Sequence, residues 1–440
     1  MRRTLTIDEL APGGEGVARD GARAVFVPFT APGDEVEADV PAGEGPAHAE
    51  LLAVVRGGPD RVAPPCRHFG LGRAPGEPGA GADARCGGCE WLNVPYALQL
   101  ATKGRLVAET LRRIGKLEPG SYELRAPIGS PRPLRYRSRA KFHVDRGTGR
   151  LSYFRRRSHA PVRVEECHLL DPALDALRER LAPALRDARL APNEVALEWS
   201  AELGRGAASL RLSDAGPRVA ARAEALLAAV PELAGVVLER EGAPPLLAGD
   251  PVLRHRRDPD RLEAGVQRSR PDVFAQANRG ANARLVATAL ELLAPDGADV
   301  LELYCGSGNF TAPLAARARS VRAVEGQGPA LELARVDLTR ATNVRFFAGD
   351  ALAVARALAK EPGPRTTHVL LDPPREGARG IGTILRELGA ERVVYVSCDP
   401  ATFARDLRGC VEEGFRVVAV VPVDMFPQTH HVECVGLVER

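Results

Sequence analysis

The chain has 440 residues, a formal net charge of +3 and 45% hydrophobic residues. That length asks for two or three domains, each with its own core, and no apolar run is long enough to cross a bilayer as a helix. Met1-Arg2-Arg3 turns polar before an export signal develops, so the expectation is a soluble, cytoplasmic protein with no membrane association and no predicted protein partner.

In chain order, short alternating runs at 3–7, 16–19, 24–28, 35–40 and 49–55, broken by turns such as Pro12-Gly13-Gly14, predict a small β-barrel. An oligonucleotide-binding barrel and an SH3-like or purely structural one both fit this pattern. Residues 71–84 form a Gly/Ala/Pro stretch expected to be a flexible insertion. Leu100, Val107, Leu111 and Ile114 then fall at helical spacing before Gly115, predicting a helix over 96–114. From 126 to 257, strand-like runs (140–144, 195–199, 208–212, 235–239) mix with helices at 172–185 and 219–229, an α+β pattern with an antiparallel sheet. From Phe274 onward helices and strands alternate, with strands at 299–304, 320–325, 344–348, 367–371, 392–397, 415–423 and 432–439. That alternation predicts a Rossmann-like, doubly wound α/β domain. The expected domains are 1–58, 59–270 and 271–440, with helix 96–114 packed on the last.

The modest overall charge does not by itself announce a polyanionic partner. A local cluster does more: Arg132, Arg135, Arg137, Arg139, Lys141, Arg150 and Arg155-Arg156-Arg157 interleave with Tyr136, Phe142, Tyr153 and Phe154, a pattern that suits nucleic acid. Eight cysteines without an export signal argue against a disulfide framework and for metal binding or catalysis.

The strand at 299–304 runs into Cys305-Gly306-Ser307-Gly308-Asn309-Phe310, whose glycines allow a tight turn and close approach of a ligand. Glu325 ends the next strand, placed for ribose hydroxyls, and Gly349-Asp350 ends the following one, within reach of an adenine amino group. One nucleoside in the crevice satisfies all three. A dinucleotide would call for a third glycine where Thr311 stands, and S-adenosylmethionine fits better.

Asp372-Pro373-Pro374-Arg375 and Cys398-Asp399-Pro400 follow the next two strands. Carbon 5 of uracil is a poor nucleophile until something adds at carbon 6, and a thiolate adds there reversibly. A base must then remove the proton from carbon 5, and Glu433, in His430-His431-Val432-Glu433, is the candidate. The two histidines, being adjacent in a strand, are expected to point to opposite sides, which argues against a shared metal.

Phe274-x-Gln276-x-Asn278, Leu303-Tyr304-Cys305-Gly306-Ser307-Gly308-Asn309-Phe310, Asp372-Pro373-Pro374-Arg375, Ser397-Cys398-Asp399-Pro400 and His431-Val432-Glu433 together resemble the RNA uracil-5 methyltransferases of the TrmA/RlmC/RlmD kind. The resemblance spans nearly the whole chain. It implies Cys398 as nucleophile and Glu433 as base. Gln276, Tyr304, Asn309, Glu325, Asp350 and Asp372 then contact cofactor or target base, and Phe274 stacks on a flipped uracil. It further implies an RNA-binding TRAM domain at the N-terminus and a [4Fe–4S] cluster on Cys66, Cys86, Cys89 and Cys167. Zinc is the chemical rival for those thiolates. The gap between Cys66 and Cys86 is longer than the family pattern. Ribosomal RNA is the favoured substrate, tRNA the alternative, and a non-catalytic RNA-binding protein on the same scaffold the reading from another class.

Overall fold

The computed structural model describes the chain apart from residues 72–85, 146–147, 214–217, 262–264 and 362–365. All but Leu71 of the insertion read at 71–84 lies outside the described residues.

At the N-terminus, period-two burial makes the strands: in Arg2–Leu10, Leu5 and Ile7 are buried while Thr4 and Thr6 face out. Six strands pair in the order Ala47–His48, Arg23–Val27, Gly16–Asp20, Arg2–Leu10, Glu35–Asp39, Glu50–Arg56. Val25, Val27, Val36 and Ala38 form their core.

The helix Tyr96–Arg113 buries Val107 and Leu111 in one apolar cluster with Leu301, Val369, Phe403 and Leu407 from the C-terminal half of the chain. Ile114, read as part of its apolar face, is instead 41% exposed.

The central sheet runs Pro161–Val162, Leu151–Phe154, Arg139–Val144, Pro192–Ser200, Arg205–Leu212, Leu233–Arg240, Ala243–Gly249. It is not wholly antiparallel: Arg205–Leu212 and Leu233–Arg240 pair parallel. The helix Val219–Ala229 lies between those two strands in the chain, and a helical crossover returns the next strand in the same direction. This helix and Pro172–Asp187 share one apolar core with the sheet.

The C-terminal sheet has eight strands in the order Val344–Ala348, Ser320–Glu325, Asp299–Leu303, His368–Leu371, Arg392–Ser397, Glu433–Glu439, Arg416–Val423, Glu123–Leu124. The first five are parallel, whereas Glu433–Glu439 runs antiparallel to both its neighbours. The helix Arg279–Leu293 begins where the Asn278 side chain accepts a hydrogen bond from the Ala281 amide. Three helices that the sequence reading left unassigned, Ala351–Lys360, Ile381–Leu388 and Pro400–Glu412, complete the layers. Among the described residues no helix is long and apolar enough to cross a membrane.

A buried ion pair ties the helix Tyr96–Arg113 to the loop after Arg416–Val423: Lys103 Nζ lies 2.6 Å from Asp424 Oδ1, with side chains 1% and 0% exposed. Lys103→Met strands the Asp424 carboxylate and should lower stability by about 3–5 kcal/mol, with Lys103→Met/Asp424→Leu recovering most of the loss. Urea midpoints of the two variants check this, and equal losses in both would show that the stranded Asp424 charge is not the cause.

Candidate active site

All five parallel strands end on one rim. Tyr304 follows Asp299–Leu303, the middle one, with φ of 64°, a conformation that costs a non-glycine residue on the order of 1–3 kcal/mol and persists only where its surroundings impose it. The chain then turns back, with the Gly308 amide donating to the Cys305 carbonyl at 2.9 Å. Gly306 has φ of 54° and open space where a side chain would stand, so a ligand can approach its backbone. A hairpin of Leu253–Arg256 and Val266–Ser269 supports this turn from outside the sheet. Arg257 donates to the Gly308 carbonyl at 3.0 Å and Gln267 to the Ser307 hydroxyl at 3.1 Å.

Glu325 is anchored by the Gly306 amide (2.8 Å) and the Gln327 amide (2.7 Å), which fixes both oxygens while leaving lone pairs for a ligand hydroxyl. Asp350 is exposed and caps the helix Ala351–Lys360 through the Ala353 amide at 2.8 Å. Asn309 exchanges two hydrogen bonds with Asn282, at 2.9 and 3.0 Å, and so pins the turn to the helix Arg279–Leu293. Phe274 stands out from its loop at 70% exposure and lines a cleft with Arg137, Arg139 and Gln327, while Gln276 beside it is half-buried.

The sheet register brings Cys398 and Glu433 together. Ser397 pairs with Cys434, so the residue after one strand meets the first residue of the next, and Asp372 follows the strand on the other side. Burial pushes the Cys398 thiol up to about 11, Glu433 and Asp372 add to this, and the Arg375 guanidinium opposes it. Burial raises Glu433 to about 8, with Asp372 adding and Arg375 opposing, and burial raises Asp372 to about 7. Arg375 closes the motif Asp372-Pro373-Pro374-Arg375, whose sequence alone assigns it no role. Its guanidinium opposes the rise of both Cys398 and Glu433.

Glu302 was missed altogether. It is 1% exposed, and among the described residues neither of its oxygens, nor the nearby Thr311 hydroxyl, has a hydrogen-bond partner. Burial lifts it to about 8; Asp372 and Glu325 add to this, and Thr311 and Arg257 oppose. The signal was present as an acid inside the apolar run Val300-Leu301-Glu302-Leu303.

His430 and His431 do not flank a strand as expected, because the last strand begins only at Glu433. Their rings lie 4.2 Å apart, and His430 Nδ1 is 3.5 Å from Glu90 Oε2. The basic cluster also divides. Arg139 and Arg156 turn inward to Glu198 and Glu90, while Arg132, Lys141, Arg150 and Arg157 face solvent.

Cys66, Cys86, Cys89 and Cys167 line one cavity with Tyr153 and Arg137. Burial pushes the Cys86 thiol up to about 12 and raises Cys66 and Cys89 too, each also feeling the charge of other members of the set. Among the described residues no three His, Cys, Asp or Glu side chains converge as a single metal ion requires.

A parallel sheet closed by one antiparallel strand, with a glycine turn after its first strand and acids at the following strand ends, defines a methyltransferase-type α/β domain. The structure of the Pyrococcus abyssi tRNA (uracil-54, C5)-methyltransferase in complex with S-adenosyl-L-homocysteine shares this fold, with a TM-score of 0.73 over 100% of both chains at 22% identity. The tRNA (uracil-5-)-methyltransferase family profile matches residues 265–440, and the TRAM-domain profile of tRNA (uracil(54)-C(5))-methyltransferase matches residues 1–39. The 23S rRNA (uracil(1939)-C(5))-methyltransferase RlmD of Pseudomonas entomophila is 35% identical over 100% of this chain and 94% of its own. That of Alkalilimnicola ehrlichii is 34% identical over 99% and 96%. The chain belongs to the RNA uracil-5 methyltransferase family.

The raised acids set a sign for stability. Unfolded carboxyls titrate at about 4.3, so from about pH 5 to 8 these acids hold protons in the folded chain that the unfolded chain has released, and their contribution to stability falls as pH rises through that window, while the depressed His255, His368 and His431 act the other way below about pH 6.5. Glu302→Gln should make this fall shallower in urea midpoints taken across the window. An unchanged slope would mean that Glu302 ionises normally.

Proposed function

We propose that the protein transfers a methyl group from S-adenosylmethionine to carbon 5 of a uridine in 23S ribosomal RNA, acting in the cytoplasm. The pairing of Cys398 with Glu433 across adjacent strand ends carries this reading, since the reaction needs a thiol and a carboxylate on one ring. The Cys398 thiolate adds to carbon 6, and the electron pair so released to carbon 5 attacks the methyl group of the sulfonium. Glu433 then takes the proton from carbon 5, the double bond re-forms and the thiolate leaves.

Its raised value, about 8, suits Glu433 to this task, because a base works best with its pKa near the working pH. Arg375 favours the thiolate form of Cys398. The donor brings a sulfonium and an ammonium to a rim where Glu302, Glu325 and Asp372 supply negative charge. Gln276, Tyr304, Asn309 and Asp350 complete the donor crevice, and Phe274 offers its exposed ring to the extruded uracil. The N-terminal sheet and the outward arginines take the RNA backbone. That both relatives above are named for 23S rRNA supports the substrate choice, with tRNA the alternative.

Nucleoside mass spectrometry with labelled S-adenosylmethionine tests this directly. The wild type should form 5-methyluridine in 23S rRNA, and Cys398→Ala should lose on the order of 10³-fold or more of that activity. Label confined to tRNA would overturn the substrate, and an active Cys398→Ala would overturn the nucleophile.

Cys66, Cys86, Cys89 and Cys167 hold a [4Fe–4S] cluster on this reading. Four thiols lining one cavity match the four thiolates that such a cluster takes, with zinc the rival for them. Protein purified without oxygen should carry about four irons per chain, and Cys89→Ser should lose iron and visible absorption together. Zinc in their place would overturn the assignment.

A further inference from the structure

The base Glu433 opens its strand directly after a loop, 424–432, that is largely buried: Met425 is 0%, Gln428 7%, Thr429 5% and Val432 5% exposed. At the centre of this loop Gln428 has φ of 70°. A side chain beyond glycine holds that conformation only when its surroundings over-determine it.

The surroundings do so through five hydrogen bonds. The Gln428 carbonyl accepts from the amides of Glu90 (3.0 Å) and Trp91 (3.1 Å). Its own amide donates to Gln99 Oε1 at 2.9 Å, Gln99 Nε2 donates to Gln428 Oε1 at 2.9 Å, and Gln428 Nε2 donates to the Pro133 carbonyl at 3.3 Å. None of these partners belongs to the loop. Glu90 and Trp91 follow directly on Cys86-Gly87-Gly88-Cys89, Gln99 is fully buried on the helix Tyr96–Arg113, and Pro133 lies two residues before Arg135. Arg135 in turn donates to the Cys167 carbonyl at 3.0 Å. Both cysteine-bearing segments therefore reach the loop through one residue.

From there the chain is short and stiff. The Thr429 hydroxyl donates to the Phe426 carbonyl at 2.8 Å, and the His431 amide lies 3.3 Å from that hydroxyl. Glu433 follows, paired in register with Val423.

We infer that Gln428 is a positioning residue for Glu433, through which the segment after Cys89 sets where the base stands. The inference rests on the reading of Glu433 as the base. Addition and methyl transfer use Cys398 and the donor, which sit on other strand ends that Gln428 does not touch. Only the last step needs Glu433: the carboxylate takes the carbon-5 proton, the C–H electron pair forms the carbon 5–carbon 6 double bond, and the carbon–sulfur pair leaves with Cys398. A misplaced base therefore stalls the methylated covalent adduct.

The experiment uses the full chain, a 23S-derived RNA and labelled S-adenosylmethionine in single turnover, reading both SDS-resistant protein–RNA adduct and free product. Gln428→Gly keeps the backbone conformation at ease and removes the side-chain bonds. Gln99→Ala removes two of the same bonds from the other side, and Glu433→Gln is the reference. Either Gln428→Gly or Gln99→Ala should accumulate adduct as Glu433→Gln does, with product release slowed on the order of 10-fold, a part of what a positioned base supplies. Donor affinity and RNA KM should stay within about twofold of wild type, a split that loss of fold would not produce. If Glu433→Gln accumulates adduct and neither other variant does, the positioning role is wrong. If Glu433→Gln accumulates none while Cys398→Ala is inactive, the base reading fails and takes the inference with it.

Discussion

Glu302 stands buried inside a strand, where among the described residues only the weak approach of the Thr311 hydroxyl and the charge of Arg257 oppose its rise. An ionised carboxylate left so would cost several kcal/mol, so in the empty protein the acid keeps its proton. Burial raises Asp372 and Glu433 as well, a strand or two away, and each charge that forms there makes the next harder to form. A cation releases them. On the proposed reading the donor supplies it, and once the methyl group has gone the sulfur is neutral and the attraction weakens. The same acids that hold the donor then favour exchange of its product.

This arrangement needs the antiparallel strand. Parallel strands present only their carboxyl ends to the rim, so Glu325 ends a strand and Tyr304, Asp372 and Cys398 each come directly after one. Glu433 comes before one. It reaches the same rim because Glu433–Glu439 runs the other way, beside Arg392–Ser397, and its first residue lies beside the residue that follows its neighbour's last one. A sixth parallel strand in that slot would have put Glu433 at the opposite end of the sheet.

Strand ends were the legible part of the sequence. Apolar runs closed by glycine, acid or proline placed most strands of the C-terminal sheet to within a residue or two, since burial on both faces leaves a continuous signal. Pairing direction was not legible in the central sheet, where the parallel pair depends on a crossover that leaves no mark within either strand. Nor did spacing show that Arg139 and Arg156 turn inward, because their partners Glu198 and Glu90 are distant in the chain. Glu302 was visible as a residue and invisible as a site, since its lack of partners is a property of the packed core. The histidines were misjudged because strand alternation was applied to residues that precede the last strand, which starts at Glu433.

The long separation between Cys66 and Cys86 has a simple physical resolution. The Cys86 amide donates to the His68 carbonyl at 2.9 Å, so the chain that leaves after His68 is brought back to its starting point. Closing a loop costs free energy that grows only with the logarithm of its length, and each doubling adds about 0.6 kcal/mol. Residues can therefore accumulate between those two points at little cost to the cavity, and Cys66 and Cys86 still line it together. The other side of the cysteine pair has no such freedom. Between Cys89 and the bonds that Glu90 and Trp91 make to Gln428 there is no spare residue, and an insertion there would move the loop that leads to Glu433. Tolerance on one flank and rigidity on the other follow from where each flank is hydrogen-bonded.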